Sequence, residues 1–322
     1  GGGRAAFPIR LAPLVEAFRP QIQEQFDKAL KRDDAPPEAA AMGALYLRAY
    51  LAAARQVDEF VLGLGVADGQ LKLHSRVAPV AGSTLAAWQA TLKTPDPTAA
   101  ALANQPDALF AEALNLGDLS LLAPAYFRYV DAVMAAMPAQ PGAEMMKSYL
   151  ASARTYWNRM AGDFSFALMP PTPEQPLRLV EYLALKDSTG LRELNKQLIQ
   201  DANEMMKTML ATNGLPAPFQ FDMAFGEPRE HRGVAVDTLT YAITLGDQMA
   251  SVWPKAIPTK FALEIAWFSD GLLAVVGDPA LTDSMVDRAL DGASASLAER
   301  PAWKAAYPDP DEHPVDFTHF AL

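Results

Sequence analysis

The sequence contains no cysteine. Disulfides, thiol nucleophiles, iron–sulfur clusters and thiolate zinc sites are excluded in one step. Histidine is scarce, with four residues (His74, His231, His313 and His319), so imidazole chemistry has few candidates. No basic run interrupts a balance of 27 Lys and Arg against 38 Asp and Glu, a formal charge of −11. Nucleic acid and anionic membrane surfaces are therefore poor partners. The longest apolar stretch, Ala39 to Ala54, is too short to span a bilayer and is interrupted by Arg48, which makes it a buried helix. Gly-x-Ser-x-Gly, His-Glu-x-x-His and the phosphate-binding Gly-x-x-x-x-Gly-Lys-Ser/Thr are all missing. A triad assembled from distant residues would leave no such local trace. Gly1, Gly2 and Gly3 read as a remnant of cloning, and no charged-then-apolar signal segment follows them. Lack of cysteine leaves the compartment open, since a lipoprotein shorn of its anchor residue would look the same.

What is present is apolar material in quantity: half of the 322 residues, enough for one large domain or two modest ones. Leu11, Leu14, Phe18, Ile22, Phe26 and Leu30 recur every three or four positions, which predicts a helix over 9–32 that Pro20 either kinks or divides. Asp34 with Pro36 and Pro37 opens a second helix reaching about Arg55. The period then becomes two-fold. Phe60, Leu62, Leu64 and Val66 alternate with small residues, Asp68-Gly69 supplies a hairpin turn, and Leu71, Leu73 and Val77 resume the alternation opposite Lys72, His74 and Arg76. A short helix from Ser83, a strand at 108–116 and two helices parted by Pro138 to Gly142 follow.

The second half is richer in strands: around Phe164 to Leu168, Leu177 to Leu185, Phe219 to Phe225, 233–245 and 259–268. Between them, Leu191, Leu194, Leu198, Ala202, Met205 and Met209 form one stripe of a helix capped at Asp187 or Ser188 and ended by Asn213-Gly214. Asp270-Gly271 is a second hairpin turn, and Asp278-Pro279 caps a last helix ending near Gly292. Strand, Asp-Gly turn, strand and helix thus occur twice, from Phe60 and from Phe261, the pattern of a degenerate duplication.

Gly82-Ser83-Thr84-Leu85 after the first hairpin, Gly162-Asp163-Phe164, Lys186-Asp187 at a helix start and the terminal Asp270-Gly271 hairpin together resemble a group of uncharacterised exported bacterial proteins, often lipid-anchored, built from two diverged α+β units. The resemblance covers residues 57–300 and implies an envelope location with a binding or structural role. No functional residues carry over from it.

Three clusters hold candidate chemistry. Glu227 to Gly233 packs five ionisable groups between two strands, and Glu230 with His231 could bind a metal or exchange a proton. A solvated hairpin loop of balanced charge is the simpler reading. The tail brings Asp309, Asp311, Glu312, His313, Asp316 and His319 together, yet its prolines and charge argue for an exposed end. Ten methionines lie between Met134 and Met223, leaving only Met42, Met249 and Met285 outside. Thioethers bind Cu(I) or line adaptable apolar grooves, while helix core is the plainer use. A groove would be walled by Met205, Met209, Phe221 and Phe225.

These observations lead to an α+β protein of antiparallel sheets with helices mainly on one face. A helical segment plus a first unit spans 9–161, a second unit 162–300 and an exposed tail 301–322. The expected function is non-enzymatic: an exported envelope protein, periplasmic or at the cell surface, that binds an apolar small molecule or a protein partner. No cofactor, metal or nucleic acid is expected. The alternatives are a hydrolase using Glu230 and His231, and a structural or assembly component. A deep apolar cleft would favour the carrier, convergent ionisable groups in a polar pocket the enzyme, and a broad exposed apolar patch assembly.

Overall fold

The computed structural model describes residues 4–30, 37–67, 70–103, 105, 107–136, 143–212, 219–246, 250–251, 258–292 and 316–320. The chain is α+β, and all strand pairs among the described residues are antiparallel. It divides into two compact units, Gly1–Thr91 with Leu121–Gln140, and Leu92–Ser120 with Pro141–Leu322, a division different from the one expected at 161.

The first unit opens on β1 (Arg4–Arg10), which runs directly into α1 (Leu11–Leu30). The sequence reading had no strand here. Arg4 to Arg10 is too short to show a period, and Pro8 argues against a central strand. The structure resolves that conflict by placing β1 at a sheet edge, where a missing N–H costs no ladder bond. Pro20 sits inside α1 without ending it. After α2 (Pro37–Ala54) come β2 (Val57–Ala67) and β3 (Gln70–Pro79), giving a three-stranded sheet in the order β1-β2-β3. The tight turn expected at Asp68-Gly69 lies outside the described residues, but the strands it would join pair from Ala67↔Gln70 to Val57↔Pro79.

Gln56 ties the end of this hairpin to α3 (Thr84–Gln89). Its carbonyl accepts Val80 N–H at 2.7 Å and its side-chain oxygen accepts Leu85 N–H at 2.9 Å. Ser83 caps α3 as its sequence position predicts, its hydroxyl accepting Ala86 N–H at 3.1 Å. A later helix, α5 (Ala123–Ala136), returns to this unit and packs on α2, with Tyr46 and Tyr129 meeting edge to face at 5.9 Å.

The second unit comprises α4 (Pro97–Ala103), β4 (Phe110–Asn115), α6 (Ala143–Arg159), β5 (Met160–Met169), β6 (Arg178–Leu185), α7 (Leu191–Thr212), β7 (Phe219–Phe225), β8 (Arg229–His231), β9 (Val234–Leu245), β10 (Lys260–Trp267), β11 (Gly271–Val276), α8 (Pro279–Asp291) and β12 (Asp316–Phe320). Its nine strands order as β12-β4-β5-β6-β11-β10-β9-β7, with β8 also paired to β9. Alternation along each strand sends side chains to two faces. Ala111, Ala167, Val180, Tyr182, Val236, Ala266, Leu273 and Val275 lie on one face and are covered by Leu102 of α4 and Leu281, Met285 and Val286 of α8. Leu183, Leu185, Ile265, Trp267 and Leu272 lie on the other, beneath Leu191 and Leu194 of α7 and Tyr156 of α6.

Helices therefore cover both faces of this sheet, not mainly one. A two-sided cover follows from the strands themselves: β6 is buried at Val180, Tyr182, Leu183, Ala184 and Leu185 without alternation, so both of its faces need an apolar neighbour. The tail expected to be solvated supplies β12, which pairs with β4 from Asp316↔Leu114 to Phe320↔Phe110. Composition over 301–322 is dominated by acid and proline, which hid a five-residue strand able to satisfy the free backbone edge of β4.

Two glycines are set by close approach. Gly162 has φ +97°, and a Cβ there would collide with the backbone of Gly117. One at Gly271 would fall on the Tyr182 ring.

Candidate functional site

Three clusters of ionisable side chains within the second unit are bound to one another. On the α7 side of the sheet, Asp237 is 4% exposed and accepts Arg192 Nε–H at 2.7 Å, Arg192 Nη2–H at 2.6 Å and Trp267 Nε1–H at 3.1 Å. Lys196 Nζ stands 3.7 Å away. Burial alone would raise this carboxyl's pKa. The Arg192 hydrogen bonds and charge, with Lys196 and Trp267, outweigh it and hold Asp237 below the usual carboxylate range.

On the α8 side, Arg229 grips buried Glu264 with two bonds of 3.0 and 2.7 Å and reaches Asp283 at 2.6 Å. Here too burial opposes ionisation and the Arg229 pairing overcomes it, leaving the Glu264 pKa lowered. His231 Nε2 lies 2.9 Å from Asp287, and Arg232 bonds Asp287 and Asp291 at 3.1 and 2.7 Å. Asp283, Asp287 and Asp291 stand four residues apart on one stripe of α8, and β8 with its turn presents the matching cations.

A third knot closes the end of the sheet. Asp163, 3% exposed, accepts Asp96 N–H at 2.9 Å and Asn115 Nδ2–H at 2.8 Å, with Lys93 Nζ 3.6 Å away.

The three buried carboxylates, Asp237, Glu264 and Asp163, thus each have a fixed set of donors. The segment expected as a solvated loop is consequently a docked strand. Glu230 and His231 are not brought together as an acid–base pair: along β8 the residues alternate, Glu230 exposed and His231 turned to α8. Glu181 on β6 is different, being half-buried with no hydrogen-bond or ion-pair partner among the described residues. Burial raises its pKa.

Of the residues expected to wall an apolar groove, Phe225 is half-buried on β7 opposite Leu239. The side chains of Met205, Met209 and Phe221 lie outside the described residues. A shallow cavity of about 270 Å³ lies elsewhere, lined by Glu174, Pro176, Leu177, Thr240, Lys260 and Ala262 among others. The candidate ligands of the tail, Asp309 to His313, also lie outside the described residues.

The first unit presents a surface of another kind. Of the twelve large apolar side chains that are exposed among the described residues, all but Leu109 and Leu290 belong to it. The register explains how they gather: Phe7 pairs with Leu62, Ile9 with Phe60, and Phe60 in turn with Val77. Directly opposed residues project to the same side of a sheet. Phe7 (58% exposed), Ile9, Leu62 and Val77 therefore share one face across three strands. On the helices, Leu14 and Phe18 of α1 stand open one turn apart, as do Tyr46 and Tyr50 of α2, the last 71% exposed. The sequence signal for the sheet face was the alternation at Phe60, Leu62 and Val77. What it could not show was that this face is left uncovered, because alternation reports a two-sided strand without saying which side meets solvent.

No protein-family model, no curated protein and no solved structure matches this chain.

Proposed function

We propose that the chain is a non-catalytic binding protein whose first unit docks a protein partner through the apolar sheet face of Phe7, Ile9, Leu62 and Val77. The observation that carries this reading is the gathering of exposed large apolar side chains on one unit, and on one face of its sheet by register. Exposed patches of this kind cost solubility and are retained where something covers them. Aromatic residues such as Phe7, Tyr46 and Tyr50 are the types enriched at interface centres. The paired state of Arg229, His231, Arg192 and their carboxylates supports binding over hydrolysis, since none of these groups is left to act on a substrate. The envelope location implied by the resemblance belongs to the same proposal.

The test is photocrosslinking in the host cell. A crosslinking residue is placed at Leu62 or Val77, with Arg76, on the reverse face of the same strand, as control. One discrete protein adduct from positions 62 and 77, absent from position 76 and lost in Phe7→Asp, is the expected result. Equal labelling from both faces, or none, would remove the interface.

A further inference from the structure

The cavity of the second unit is independent of that apolar face and has a chemistry of its own. It lies beside β9 and β10, with Thr240, Lys260 and Ala262 on one side and the turn Glu174-Gln175-Pro176-Leu177 on the other. Thr172 and Gln175 hold that turn shut: Thr172 N–H donates to Gln175 O at 2.9 Å, and Gln175 N–H reaches Thr172 O at 3.2 Å and its Oγ1 at 3.0 Å. Pro171, Pro173 and Pro176 stiffen the same segment. The rim is thus pre-formed, which lowers the ordering cost of binding.

Two ionisable groups of opposite sign, Lys260 and Glu174, line this space, and neither has an ion-pair partner among the described residues. That sets them apart from the charged clusters on Asp237, Glu264 and Asp163, where every carboxylate has its cation. Much of the remaining lining is apolar, with Pro176, Leu177, Pro258, Phe261 and Ala262.

We infer that the cavity is a binding site for a small zwitterion of amino-acid or dipeptide size. The ligand's carboxylate meets Lys260, its ammonium meets Glu174, and an aliphatic side chain rests on Pro176, Leu177 and Ala262. A cavity of about 270 Å³ suits a ligand of this size. Thr240 offers a hydroxyl for the ligand's peptide group.

Isothermal titration of the full chain with leucyl-leucine, its N-acetyl form and its C-terminal amide tests this. The free dipeptide should bind in the micromolar to millimolar range, and capping either end should weaken it by about two- to fivefold, the worth of one exposed ion pair. Lys260→Met should lose sensitivity to amidation but keep sensitivity to acetylation, and Glu174→Gln should do the reverse. Both side chains are exposed, so the melting temperatures of the variants should match the parent and certify folding. Absence of binding at about 10 mM, or capped and free dipeptides binding alike, would overturn the assignment.

Discussion

The two units use the same materials, antiparallel strands and adjoining helices, and arrive at opposite surfaces. In the second, Val180, Leu273, Val275 and Val286 are essentially sealed from solvent. Pairs such as Arg229–Asp283 and Arg192–Asp237 pin a helix to each face of the sheet. In the first, only Val15, Leu51, Ala123 and Phe127 are buried among the large and small apolar side chains described, while Phe7, Phe18, Tyr46 and Tyr50 stand open. Nine strands give the second unit central strands with two faces to cover. Three strands leave the first with a face on which Phe7, Ile9, Leu62 and Val77 stay exposed. Sealed core and buried ion pairs gather in one unit, and exposed large apolar side chains in the other.

Substitutions sharpen that contrast in a definite order. Arg229→Met should be the most damaging, because it strands Glu264 in the interior. A loss of about 3–5 kcal/mol is expected from urea unfolding. Leu273→Ala should cost about 2–5 kcal/mol by the same measurement, whereas Phe7→Ala, exposed in the first unit, should stay within about 0.5 kcal/mol. A core-sized loss at Phe7 would erase the distinction.

Acid should expose the same division. Asp237 and Glu264 have folded pKa values lowered below their unfolded ones. Their stabilisation is therefore complete above the unfolded carboxylate pKa, near about 4, and disappears as pH falls through the lower folded values. A pH-dependent melting series should show the second unit weakening below about pH 4, less steeply in Asp237→Asn.

Removing residues 316–322 should lower the melting temperature by several degrees, since it strips the strand from the outer edge of β4. An unchanged value would return the tail to solvent. The smallest effect concerns Glu181. Its folded pKa is raised, so it burdens the folded state above that pKa and the burden is absent below the unfolded one. Glu181→Gln should give a slight rise in melting temperature at neutral pH and none in acid.

Local chemistry was readable from the sequence wherever a side chain acts on its own neighbourhood. Ser83 and Asp278 cap the helices their positions predict, Asp278 accepting Leu281 N–H at 2.9 Å. Alternation located β2, β5, β7 and β10. Lost were the features decided at a distance. β1 is a strand because β2 offers it an edge, and α4, seven residues rich in alanine, is a helix because a buried face receives it. The charges of 227–233 looked balanced within their own segment, and nothing local to Arg229 or His231 announces that α8 lies opposite. The apolar face was legible as a pattern, but its openness depends on what the remainder of the unit fails to cover.

Hydrogen–deuterium exchange of the whole chain, followed strand by strand, tests the account most directly. Amides of β6 and β11 should exchange only through global unfolding, while those of β2 and β3 exchange through local opening at rates higher by orders of magnitude. Equal protection in the two sheets would contradict it, showing that the first unit closes a core of its own and has no face in need of a partner.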